Sequence, residues 1–129
     1  MTASEKFQFM RDGIVTALEA ADIDRANIFF DRNTVPRIFP AAFVVLQTET
    51  GTHATARQYR DVEIGFTIYL IANAAGVADP DTAIHDLKEA FRSEYIDRLN
   101  RDLPTVEYYP AKADGREVRI AKISTRGEG

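Results

Sequence analysis

Apolar positions fall at Phe7, Met10, Ile14, Leu18 and Ala21, spacings that put them on one face of a helix over residues 2–21. Thr2 and Glu5 have capping-box spacing at its start. Gly13, unfavourable inside a helix, is expected to allow a close approach to a sheet. Asn27-Ile28-Phe29-Phe30-Asp31 reads as a short strand that ends in Asp31-Arg32-Asn33-Thr34, a turn composition. Pro36 and Pro40 bracket an extended segment, because each restricts its preceding residue to extended geometry. Phe43-Val44-Val45-Leu46 opens a second strand. Residues 48–56 are polar, with Gly51 near the middle, and read either as the tip of a long hairpin or as a flexible loop. The third strand has the clearest pattern: Val62, Ile64, Phe66, Ile68 and Leu70 alternate with Glu63, Gly65, Thr67, Tyr69 and Ile71.

Asp79, Pro80 and Asp81 form a helix start, with Asp79 as N-cap, Pro80 at the first helical position and Asp81 near the positive end of the dipole. Ile84, Leu87, Phe91, Tyr95 and Leu99 make its apolar stripe, and Pro104 stops it after about residue 101. Val106, Tyr108 and Pro110 alternate with Glu107 and Tyr109 in a fourth strand. Asp114-Gly115 signals a hairpin turn, residues 117–124 form a fifth strand, and 125–129 read as a frayed tail. The pattern is therefore α+β: helix, three strands, helix, two strands, with both helices on one face of a mainly antiparallel sheet. The other face carries Glu63, Thr67 and Tyr69, is half polar, and must meet water or a partner.

The chain has 129 residues, 45% hydrophobic and 28% charged, which predicts one globular domain over 1–129. It has no cysteine, so neither a disulfide nor a thiolate site can form. No secretory pattern opens the sequence and no apolar run approaches the ~20 residues of a membrane span, so a soluble protein made in the cytoplasm is expected. The net charge of −4 argues against general nucleic-acid binding, which draws on basic faces.

Enzymatic chemistry finds no pattern to support it. His53 falls in the polar stretch and His85 on the second helix, without metal-ligand spacing. There is no nucleophile elbow and no phosphate-binding glycine loop. Asp79, Asp81, Asp86, Glu89, Glu94 and Asp97 interleave with Lys88, Arg92, Arg98 and Arg101, as on a solvated helix face with i,i+4 pairs. No catalytic residue, cofactor or metal site is expected.

Two stretches offer partner surfaces. The hairpin over 46–59 is either a surface loop or an arm that orders against a neighbour. A C-terminal series, Lys112, Arg116, Arg119, Lys122 and Arg126, is either a charged edge that discourages aggregation or a surface for an acidic partner or passing DNA. Arg119 and Lys122 do not share a strand face.

The chain resembles the phage tail terminator family, typified by the minor tail protein U of lambda-like phages. The resemblance runs from Phe7 to about Ser124. It is carried by Leu18-Glu19-Ala20-Ala21, Ile28-Phe29-Phe30, the Pro-flanked stretch from Pro36 to Val45, the segment from Tyr59 to Leu70, the helix opened by Asp79-Pro80-Asp81, and the last hairpin. Neck and tail-completion proteins share much of this layout, and the C-terminal hairpin here is brief. The resemblance implies a structural virion protein at the head–tail junction. Such proteins form a hexameric ring on the head-proximal end of the tail tube, stop tube polymerisation and present a docking surface to the head connector or stopper. DNA passes through the lumen without specific binding. Candidate interface residues are Thr50, Thr52, Arg57, Tyr59 and Arg60 on the arm, Arg37 and Phe39 beside the prolines, and Glu63, Thr67 and Tyr69 on the third strand. Arg116, Arg119 and Lys122 are candidates to face the lumen or a partner. The alternatives are a head–tail joining or tail-completion protein and, from a different class, a small-molecule-binding α+β domain. A concave pocket with convergent polar groups would mark the last.

Overall fold

A computed structural model describes residues 2–52, 61–103 and 105–125, with the backbone alone at 50–52 and 61–63. The elements are α1 (Ala3–Ala20), a single 3-10 turn (Arg25–Asn27), β1 (Ile28–Phe29), β2 (Ala41–Thr52), β3 (Asp61–Asn73), α2 (Pro80–Leu99), β4 (Thr105–Ala113) and β5 (Arg116–Thr125). They follow the expected order. The five strands form one sheet in the order β1-β2-β3-β5-β4. β1 pairs parallel to β2, and the other pairings are antiparallel.

Local chemistry explains the helix ends. The Glu5 amide donates to Thr2 Oγ1 at 3.2 Å, and the Thr2 amide donates back to Glu5 Oε1 at 3.4 Å. Two of the free donors at the start of the helix are thus satisfied. Asp79 accepts from the Thr82 amide at 3.1 Å and the Thr82 hydroxyl at 2.7 Å, and those bonds lower its pKa. α2 ends at Asn100 in the left-handed region, φ 54, where asparagine is better tolerated than most residues.

Both helices lie on one face of the sheet. Met10, Ile14 and Leu18 of α1 and Ile84, Phe91 and Tyr95 of α2 close over Ile64, Phe66, Ile68 and Leu70 of β3, all nearly inaccessible to water. Ala42, Val44, Ala121 and Ile123 complete this core from β2 and β5. Gly13 makes its close approach to the other helix and not to the sheet: a Cβ there would lie 2.8 Å from Leu99 Cδ2.

Two further expectations are corrected. Thr125 is not frayed. It ends β5 opposite Phe66 at 3% exposure, accepts from the Phe66 amide and donates to the Phe66 carbonyl, each at 3.1 Å. Lys88 does not ride on a solvated face. It is 8% exposed, with its apolar stem in the packing and its ammonium 2.6 Å from Glu89 Oε1. Of the other helix charges, Glu94 and Arg98 form the expected i,i+4 pair at 3.3 Å. Arg92 pairs with Glu89 at 3.5 Å and also reaches beyond the helix to grip Asp102 with two bonds of 2.7 Å.

Candidate assembly surface

The helix-free face of the sheet is more apolar than β3 alone suggested. Its register brings Phe43, Tyr69, Lys122 and Glu107 into one cross-strand row, and Ala41, Ile71, Ile120 and Tyr109 into the next. Ala41, Phe43, Ile71 and Val118 form a second buried cluster, with Phe29, Phe39, Tyr69 and Ile120 packed against it. Phe29 and Phe43 rings stack at 5.5 Å between centroids. The segment after β1 thus folds back over one margin and leaves the centre as a shallow hollow of about 220 Å³. Phe43, Ile71 and Ile120 floor it, and Tyr69, Tyr109 and Arg32 stand around it. Arg32 lies over the Tyr69 ring at 5.5 Å and donates to its hydroxyl at 3.1 Å. Partial burial, with help from neighbouring Tyr69 and Glu107, raises the Tyr109 phenol above its ordinary pKa, against the opposing pull of Arg32.

The expected interface residues separate into distinct groups. Tyr69 is half-buried on this face, as anticipated. Thr67 points to the same side but is only 1% exposed, so it is not part of an open surface. A bulge between Leu46 and Thr48 adds Gln47 to β2, and the Thr67 hydroxyl donates to the Gln47 side chain. Glu63 pairs with Thr50 and Thr52 with Asp61 along the hairpin; the orientation of those side chains is outside the description. Arg57, Tyr59 and Arg60 lie outside the described residues. Arg37 is exposed, and Phe39 is half-buried against the second cluster.

The basic candidates do not form one patch. Arg119 lies on the helix side of β5 and donates to Asp81 Oδ1 at 3.0 Å, so its charge is spent on the first turn of α2. Lys122 lies on the opposite face, between Tyr69 and Glu107. Arg116 is exposed beside the β4–β5 turn.

The outer part of the β2–β3 hairpin is the clearest projection. Among the described residues, β5 pairs with β3 from Phe66 to Asn73. The pairs from Thr48–Gly65 to Thr52–Asp61 extend past it as a two-stranded arm. Compared with models of protein families and with curated proteins, the sequence finds no match.

Residues lining the hollow that the sequence did not single out are Arg32, Phe43, Ile120 and Tyr109. The adjacent Tyr108 and Tyr109 were the available signal, since neighbours in a strand face opposite sides and only one of them can face the helices. On the helix side, a crevice of about 530 Å³ between α2 and β4 is lined by Asp81, Thr82, Ile84, His85 and Tyr108. His85 is exposed, 3.8 Å from Glu89 and 6.4 Å between ring centroids from Tyr108. Among the described residues, no three His, Asp or Glu side chains converge as a metal site would need. Among them too, no helix is long and apolar enough to cross a membrane.

Proposed function

We propose that this protein is a structural assembly subunit, a tail terminator that forms a hexameric ring on the head-proximal end of a phage tail tube. The ring stops tube polymerisation and offers the docking surface for the head connector. The observation that carries the reading is the two-stranded arm, Thr48–Thr52 against Asp61–Gly65, which reaches beyond the rest of the sheet. Among the described side chains of the arm, Ile64 is the one that joins the core of its own subunit, and the length of the arm is accounted for by contact with a neighbour. The order of elements, shared with the resemblance, supports the same reading.

The helix-free face adds to that support. Its hollow of about 220 Å³ is smaller than the ~300–1,000 Å³ typical of small-molecule sites, and the Arg32 guanidinium beside it is already engaged by Tyr69. A flat apolar face rimmed by Tyr and Arg suits a protein contact, where those residue types concentrate binding energy. The mechanism is interface complementarity: a head-to-tail contact whose rotation closes into a ring, with each junction burying about 1,200 Å² or more.

The test is arrest of tube growth. Added to elongating tail tubes, the protein is expected to fix their length at amounts stoichiometric with tube ends. Unchanged elongation at saturating protein refutes the terminator reading.

A further inference from the structure

The two margins of the sheet differ from an ordinary closed edge. Twelve-residue β2 is covered on its outer side by β1 only at Ala42 and Phe43. Among the described residues, nothing pairs with that side over residues 44–52. At the opposite margin, among the described residues, nine-residue β4 pairs with β5 alone. Exposed strand edges of this length template pairing with another chain, and proteins usually blunt them with lysines, prolines or a covering loop. The free stretch of β2 has neither Lys nor Pro. β4 has Pro110, which removes one donor, and Lys112.

Three observations bear on which strand would fit these edges. Strand directions alternate from β2 through β3 and β5 to β4, so β4 runs antiparallel to β2. A second copy placed in the same orientation beside β2 therefore brings its β4 alongside in the favoured antiparallel sense. The lengths also agree apart from the bulge at Gln47: the nine residues of β4 face the stretch 44–52 that β1 leaves open, eight of which lie in the regular ladder. Finally, Leu46, Tyr108 and Tyr109 are exposed at 48%, 43% and 36%, and all three stand on these two strands, so apolar side chains flank both unpaired edges.

We propose that the free edge of β2 in one copy pairs with β4 of a second copy, which joins the sheets of neighbouring subunits into one continuous ladder. The contact is head-to-tail: each copy offers β2 to one neighbour and β4 to the other, the form of interface that rings require. It rests on the assembly reading above and names the contact within it. Main-chain hydrogen bonds supply the affinity, as in other strand additions, and the apolar side chains on both faces supply selectivity.

Because the chain lacks cysteine, cross-linking reads the contact directly. Tyr109→Cys is mixed with single-cysteine variants at each of residues 45–50, then oxidised without denaturant. Facing residues in a ladder lie within disulfide reach, so covalent dimers are expected several-fold above single-variant controls at one or two positions. Leu46→Lys, at an exposed position, is expected to abolish those dimers without lowering monomer melting. Equal cross-linking at every position, or none with the variants bound at tube ends, overturns the edge contact. Tube arrest is scored in parallel on wild-type protein and on the cysteine variants: arrest without edge cross-links at tube ends sinks this inference alone, whereas no arrest by wild-type protein sinks the parent reading.

Discussion

Replacing Thr125 by valine keeps the branched shape of the last β5 residue and removes its hydroxyl. In the native chain that oxygen accepts from the buried Phe66 amide and donates to the Phe66 carbonyl, both at 3.1 Å, at a site only 3% exposed. Valine leaves the amide without a partner where water does not reach. A buried unsatisfied donor costs about 1–3 kcal/mol, so Thr125→Val is expected to destabilise by about 2 kcal/mol. In a chain of 129 residues that lowers Tm by about 8 °C. Thr125→Ser is the control: it keeps both hydrogen bonds, loses one methyl group, and should cost about 1 kcal/mol. Urea unfolding followed by circular dichroism gives both numbers. The order matters more than the size, since valine is the more apolar residue and would win if burial alone governed the site. A Thr125→Val protein as stable as wild type would refute the assignment of Thr125 to the core hydrogen-bond network.

Other parts of the fold can be tested in the same way. The two bonds from Arg92, with the Leu103 amide, hold the Asp102 carboxyl down to about 2. Since this folded value lies below the ordinary one, the pair's contribution is complete above pH ~4 and fades as pH falls toward 2. Side-chain NMR titration should place Asp102 near 2 and, in Arg92→Gln, return it toward 3.8; an unmoved midpoint would exclude the clamp. Asn100→Gly should be neutral or slightly stabilising, while Asn100→Val should cost about 1–2 kcal/mol, because a β-branched residue resists the positive φ there. Phe91 is fully buried between the helices and the sheet, and Phe91→Ala should cost about 3–5 kcal/mol in urea unfolding; a loss under 1 kcal/mol would contradict its place in the core.

Much of this fold is legible in the sequence because its elements carry strong local signals. Thr2 with Glu5, and Asp79 with Pro80, mark helix starts by hydrogen-bond chemistry that operates within one turn. The alternation from Val62 to Leu70 fixes which side of β3 faces the helices. What escapes depends on neighbours distant in the chain. From β3 alone the second face looks half polar, since it shows Glu63, Thr67 and Tyr69. Its apolar character comes from Phe43 on one side and Ile120 on the other, visible only once β5 is known to lie between β3 and β4. Thr67 disappears into the sheet because of one extra residue, Gln47, and a bulge has no short sequence signature. Lys88 reads as a surface charge, yet its stem fills core space while its ammonium reaches Glu89. For the candidate surface, the arm and Tyr69 were legible from polarity and alternation, whereas the scattering of Arg116, Arg119 and Lys122 over different surroundings follows from strand pairing.

The proposed assembly of copies of this chain as a ring on a tube end is open to direct test. The direct measurement is the mass of the assembled species, by native mass spectrometry or sedimentation, with and without purified tail tubes. The account predicts that, with tubes present, the protein is retained as a hexamer at one end of each tube, whether or not it is monomeric alone. A protein that neither forms rings nor binds tube ends would contradict it.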